Sequence, residues 1–164
     1  GGGDATLTCP TGQRAIGTVQ NTHPDNAINA FGLLCAPNGM TGASAPDSQI
    51  TVVHGGFWHY GAGLQAPAAA EPRSSVHLPP NAIYHRCQGY LLGVQARHDG
   101  IVWSIDSMRC SEGSTANSYT VKPVNIGNQT MGFARVQSCP DLRPVDGLFI
   151  RSGWLTNGFA LHCR

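Results

Sequence analysis

Charge is scarce in this chain of 164 residues: Asp, Glu, Lys and Arg make up 12% of it, and Lys122 is the only lysine. With a formal net charge of +1, it carries neither the basic footprint of a nucleic-acid binder nor an extended acidic field. Glutamate occurs only as Glu71 and Glu112. Glycoside cleavage needs two carboxylates flanking a bond, one of them with a raised pKa. Asp99 and Asp106, on opposite parts of one hairpin, come nearest to such a pair, and Asp106 is equally placed to meet Arg109 or to cap a turn. No nucleophile-elbow pattern supports Ser-His-Asp catalysis. No apolar run is long enough to span a membrane as a helix, and no signal peptide is present, so a mature, processed form is expected. No two cysteines stand two to four residues apart, the spacing of a structural zinc knuckle. The seven histidines, among them His54, His59, His77 and His85, match no ligand motif, and nothing asks for a cofactor. His162 is read as facing outward on its strand.

Glycine and proline are plentiful instead, 21 and 11 respectively, and they punctuate short runs of Val, Ile, Leu, Phe and Tyr. That pattern reads as turns joining short strands, and the expected class is all-β in a single domain, 1–164. The chain also repeats itself. "NAFGLLC", Asn29 to Cys35, returns as "NGFALHC", Asn157 to Cys163, and self-similarity at a long period points to a repeated structural unit.

Six cysteines bracket three similar phrases, pairing naturally as Cys9 with Cys35, Cys87 with Cys110 and Cys139 with Cys163. Six cysteines allow about fifteen connectivities, but a recurrent spacing favours pairing inside each phrase and an oxidising compartment. Each phrase has a glycine before an alternating strand (Gly17, Gly93, Gly147), a polar or glycine turn, and a returning strand. Period-two alternation turns Phe31, Leu33, Met108, Phe159 and Leu161 to a buried face. Each unit is then a hairpin stapled by a disulfide worth roughly 3 kcal/mol on chain-entropy grounds. Strands at "SQITVVHGGFWHYG" and "SYTVKPVNIGNQTMG" lead into the second and third hairpins, whereas only eight residues precede Cys9. The units run 1–35, 48–110 with an Ala/Pro-rich insertion at 62–82, and 118–164. One such unit could not bury its apolar face alone; three suggest three sheets packed as a triangular prism around a shared core.

"CPTG" with "DNAINAFGLLC", the lead "ITVVHGGFWHYG" and the close "NGFALHC", together with the triple copy, resemble the vitelline membrane outer layer protein family. The resemblance implies a β-prism I fold with pseudo-threefold symmetry and a secreted, extracellular-matrix-like protein, in an architecture similar to that of many lectins. The Asp25, Ala27, Asn29 series that carries part of it occurs in the first copy only.

A fold does not confer a function, so the residues themselves are weighed. Sugar sites combine an aromatic face with Asp, Asn and backbone amides. On predicted turns these are Trp58, His59 and Tyr60; Asp99 with Trp103; and Trp154 with Asn157. Equivalent turns at one end of three sheets would gather them. Against this, Trp103 and Trp154 beside glycines also read as core plugs at sheet ends, with Trp58 the one left partly exposed, and Asp25 and Asn29 as turn residues bonding local backbone. The expectation is a secreted or surface-displayed, non-enzymatic binding module whose partner is a glycan or another extracellular-matrix or cell-surface component. The alternatives are a structural or protein-partner role in an extracellular layer, and an oligosaccharide-acting enzyme. "GGGDATLTC" reads either as a tag remnant or as the spacer after a lipid-bearing cysteine, which would anchor the precursor at its N-terminus; "NQT" at Asn128 is a glycosylation acceptor in a eukaryotic source.

Overall fold

The computed structural model describes residues 3–22, 27–56, 58 and 82–164; Asp25, His59, Tyr60, Glu71, His77 and the 62–82 insertion except Ala82 lie outside the described residues. The described residues form strands β1 (Gly3–Thr8), β2 (Gln13–Thr22), β3 (Ile28–Pro37), β4 (Thr51–Gly56), β5 (Ile83–Arg86), β6 (Leu91–His98), β7 (Val102–Ser111), β8 (Tyr119–Gly127), β9 (Phe133–Ser138), β10 (Val145–Ser152) and β11 (Thr156–Cys163). They assemble into three antiparallel sheets, β4-β3-β2-β5, β8-β7-β6-β9 and β1-β10-β11, each centred on one stapled hairpin. All three expected disulfides are present, with Cα–Cα distances of 5.7, 5.4 and 5.6 Å.

Pairing in space differs from order along the chain. The strand that leads into the second hairpin, β4, pairs with β3 of the first, and β5 takes the other flank of that hairpin on β2. In the same way β8 and β9 flank the second hairpin. The short stretch before Cys9 is β1, which pairs with β10 and so completes the third sheet rather than the first. Outer strands β4, β5, β8 and β9 thus belong with the hairpin that precedes them, because each hairpin offers two open edges at the point where the chain leaves it, and β1 alone among the described strands joins a later hairpin.

The inner faces of the three sheets meet in one core. Phe31 and Leu33, Val94, Ile105 and Met108, and Leu148 and Ile150 are all fully buried there. Phe159 and Leu161 face the same core but are only partly buried, since β11 has no outer strand; Phe159 stacks against Phe31 at 4.8 Å between centroids. The first sheet is buried on its outer face too. Ile16, Val19, Ala30 and Leu34 form a second apolar cluster against Met40, Ala45 and Ile50. This explains why "NAFGLLC" reads as a nearly continuous apolar run rather than a strict alternation.

The cysteines do more than close hairpins. Each opening cysteine ends an outer strand of one sheet and is bonded covalently to the hairpin of the next. Its N–H also donates to a carbonyl left behind in the first sheet of the pair: Cys9 to Asp146 at 2.8 Å, Cys87 to Ile16 at 2.7 Å and Cys139 to Leu92 at 2.8 Å. Those three acceptors sit at irregularities in strand register, immediately before Gly147, Gly17 and Gly93. A Cβ on Gly17 would lie 2.1 Å from the His85 carbonyl oxygen, and one on Gly93 2.5 Å from that of Gln137. The glycine lets the outer strand pass close enough for the cysteine to reach its acceptor.

The open edge of β11 is closed from the side. The Gln137 amide donates to the Phe159 carbonyl at 2.7 Å and accepts from the Leu161 N–H at 3.0 Å, replacing part of a missing strand. Gln137→Glu keeps the size but removes the donor, and is expected to lower stability by about 1–3 kcal/mol in urea unfolding of the oxidised protein. Gly17→Ala and Gly93→Ala are expected to cost about 2 kcal/mol or more. Gly113→Ala, where an added Cβ meets nothing within 4 Å, is the control and should stay within about 0.5 kcal/mol.

Candidate functional site

The hairpin turns of the second and third sheets come together at the end of the prism away from the disulfides. In the β6–β7 turn, Gly100 takes a positive φ of 100° and Asp99 receives the Trp103 indole N–H on Oδ1 at 2.6 Å. In the β10–β11 turn, the Gly153 N–H reaches the Leu155 carbonyl at 3.0 Å, which throws Trp154 outward at the tip; it is 77% exposed. Asn157 ties the two turns, its Nδ2 donating to the Gly100 carbonyl at 3.2 Å. The β8–β9 turn packs alongside: the Asn128 N–H meets the Trp103 carbonyl at 2.8 Å, and Arg97 holds the Met131 and Gly132 carbonyls at 3.0 and 2.8 Å. Asp99, Trp103, Trp154 and Asn157 therefore share one face. A shallow groove of about 280 Å³, lined by Phe149, Arg151, Asn157 and Phe159, continues from Asn157 across the outer face of the third sheet.

Two expectations for the tryptophans are corrected. Trp154 is not a core plug, because the turn that carries it projects beyond the sheet. Trp58 is not partly exposed: it is 7% exposed, joins the outer cluster of the first sheet, and lies 4.8 Å from the His54 ring. Gly56, at a φ of 94°, ends β4 just before it. Burial pushes the His54 imidazole below its ordinary pKa. Trp103 falls between the two, half-buried with its N–H held by Asp99. His59 and Tyr60 lie outside the described residues, so the "FWHY" cluster is represented here by Trp58 alone.

Asn29 is buried, and its carbonyl accepts from Thr156 Oγ1 at 3.1 Å. The two carboxylates weighed as a catalytic pair are each engaged inside their own hairpin, Asp99 with Trp103 and Asp106 with the Ser104 hydroxyl at 2.6 Å. No cluster of three His, Cys, Asp or Glu able to hold a metal occurs among the described residues. A polar group at the opposite end, Asp146 with His162 Nδ1 at 2.5 Å, escaped sequence reasoning. His162 does face outward, but its partner stands sixteen residues away across an irregular register, which local pattern does not reveal.

The sequence matches no family model and no curated protein. Solved structures do match over nearly the whole chain. A prostate-specific WGA16 glycoprotein lectin aligns at 11% identity and a TM-score of 0.56, covering 99% of this chain and 91% of that one. The lectin MPA, complexed with T-antigen disaccharide, aligns at 11% and 0.54, covering 97% and 98%. The Calystegia sepium agglutinin aligns at 12% and 0.53, covering 100% and 89%. The fold is β-prism I. At these identities the likeness is one of architecture, shared by jacalin-like lectins.

Trp58→Ala should cost about 3–5 kcal/mol, the usual loss for emptying a buried aromatic site. Trp154→Ala should stay within about 0.5 kcal/mol. Thermal and urea unfolding of the two variants against the parent checks both.

Proposed function

We propose that this β-prism is a secreted, non-enzymatic carbohydrate-binding module whose ligand face is the turn-bearing end formed by Asp99, Trp103, Trp154 and Asn157. The observation that carries this reading is the exposed Trp154 indole on a turn that Asn157 ties to the turn carrying Asp99. An aromatic plane accepts the apolar face of a pyranose, while amide and carboxylate groups match its hydroxyls. Lectins among the architectural relatives support the reading, as does the complex of one of them with a disaccharide. Three disulfides fit an oxidising, extracellular setting, and no helix among the described residues is long and apolar enough to cross a membrane. The likeness of the repeats to the vitelline membrane outer layer family supports placement in an extracellular layer.

A structural or protein-partner role is the second reading, favoured by the exposed Val121, Phe133 and Val136 on the outer strands of the second sheet. A glycan array probed with the oxidised protein separates the two. The expected result is saturable binding that Trp154→Ala weakens about tenfold or more without lowering the melting temperature, and that Asn157→Ala weakens comparably. A blank array from folded protein overturns the glycan reading and moves the assignment to a protein partner.

A further inference from the structure

The three copies are not chemically equivalent at the disulfide end. Their register identifies corresponding positions. Ile16, Leu92 and Asp146 are the carbonyls bound by the opening cysteines. Leu34, Arg109 and His162 pair with the glycine that follows each of them. Ala36, Ser111 and Arg164 follow the closing cysteines. The first copy fills the three positions with Ile16, Leu34 and Ala36, all fully buried in the outer apolar cluster. The second keeps Leu92 buried and stacks Arg109 on the Tyr119 ring at 4.6 Å. Only the third places three polar, hydrogen-bonding side chains there, Asp146, His162 and Arg164.

These side chains hold one another. His162 Nδ1 meets Asp146 Oδ1 at 2.5 Å, and Arg164 Nε lies 3.9 Å from Asp146 Oδ2. Arg164 also donates to Asn38 Oδ1 at 2.8 Å and to the Gln13 carbonyl at 2.6 Å. They line an open pocket of about 550 Å³ between the first and third sheets, within the size range of small-ligand sites.

We propose that this corner is a second saccharide site, separate from the turn face. Asp146 offsets the Arg164 charge, so the pocket offers no surplus cation to an anionic ligand. The Asn38 side-chain amide, His162 Nε2 and the Thr11 hydroxyl form a mixed donor and acceptor set, and no Phe, Tyr or Trp occurs among its described lining residues. A neutral, polyhydroxylated ligand satisfies that set. β10 runs from Asp146 at this corner to Ser152 at the turn face, so the two sites would lie at opposite ends of one strand and let a single molecule bridge two glycan chains.

Backbone and histidine-ring NMR spectra of the oxidised protein, titrated with galactose, mannose, N-acetylglucosamine, acetate and inorganic phosphate, test the site. The expected result is a saturable shift with at least one of the sugars at Thr11, Gly12 and the His162 ring. Asp146→Asn and His162→Ala should weaken it about tenfold, and Trp154→Ala should leave it unchanged. His162 is exposed, so its removal spares the fold and keeps the test decisive even where Asp146→Asn lowers the melting temperature. Saturation at the corner by phosphate or acetate alone, or no shift there with any sugar, overturns the proposal. Sugar shifts confined to the 99–103 and 154–157 turns overturn it as well, while leaving the turn-face reading intact.

Discussion

Everything in this prism depends on one recurring junction, where a cysteine leaves an outer strand, donates its N–H to an irregular carbonyl of that sheet, and forms its disulfide in the next. Without it, three hairpins would be three marginal units, each with one apolar face and nothing to hold it against the others. With it, β1 hands the third sheet to the first, β5 the first to the second, and β9 the second to the third. The covalent links therefore run around the prism, and the shared core of Phe31, Ile105, Met108, Leu148 and their neighbours is enclosed on all sides. The glycine beside each junction follows from the same demand, because the outer strand has to approach closer than a side chain allows.

The ring leaves unequal faces. Two sheets gain strands on both flanks of their hairpin, while the third ends at β11 and relies on the Gln137 amide to satisfy the middle of its open edge. Among the described residues, the first sheet carries a second apolar layer on its outer face, which is where Trp58 belongs. That layer also accounts for the depressed basicity of His54: the same burial that favours the indole disfavours a protonated imidazole beside it.

Three hairpins and their disulfides were legible in the sequence because cysteine spacing and the glycine, strand and turn phrase are local signals that survive in every copy. Partner choice among outer strands was not, since β4 is written next to the second hairpin yet pairs with the first, and only the geometry of open edges decides between them. The candidate site was legible in part. Asp99 and Trp154 stand on turns, Trp103 and Asn157 open the strands that leave them, and turns at one end of neighbouring hairpins converge. Exposure was not legible: "GFW" and "SGW" look alike as strings, but Trp58 folds back over a sheet face that lacks a cover, whereas Trp154 sits on a tip with no layer to join. The Asp146–His162 pair was hidden for a third reason, since its members meet only through the irregular register of β10 and β11.

Pseudo-symmetry makes departures informative. Where all three copies agree, at the junction glycines, the cysteines and the inward-facing apolar residues, the agreement is explained by architecture and says nothing about ligands. Where one copy differs while its backbone stays in register, packing has ceased to dictate the residue. Trp154 at a turn tip and Asp146 with His162 at a corner are such places, both on the third copy. They share a cause: the third sheet carries neither an outer strand on β11 nor the apolar layer that covers the first. The least-covered face of the prism is thus the one where packing constrains the outward residues least.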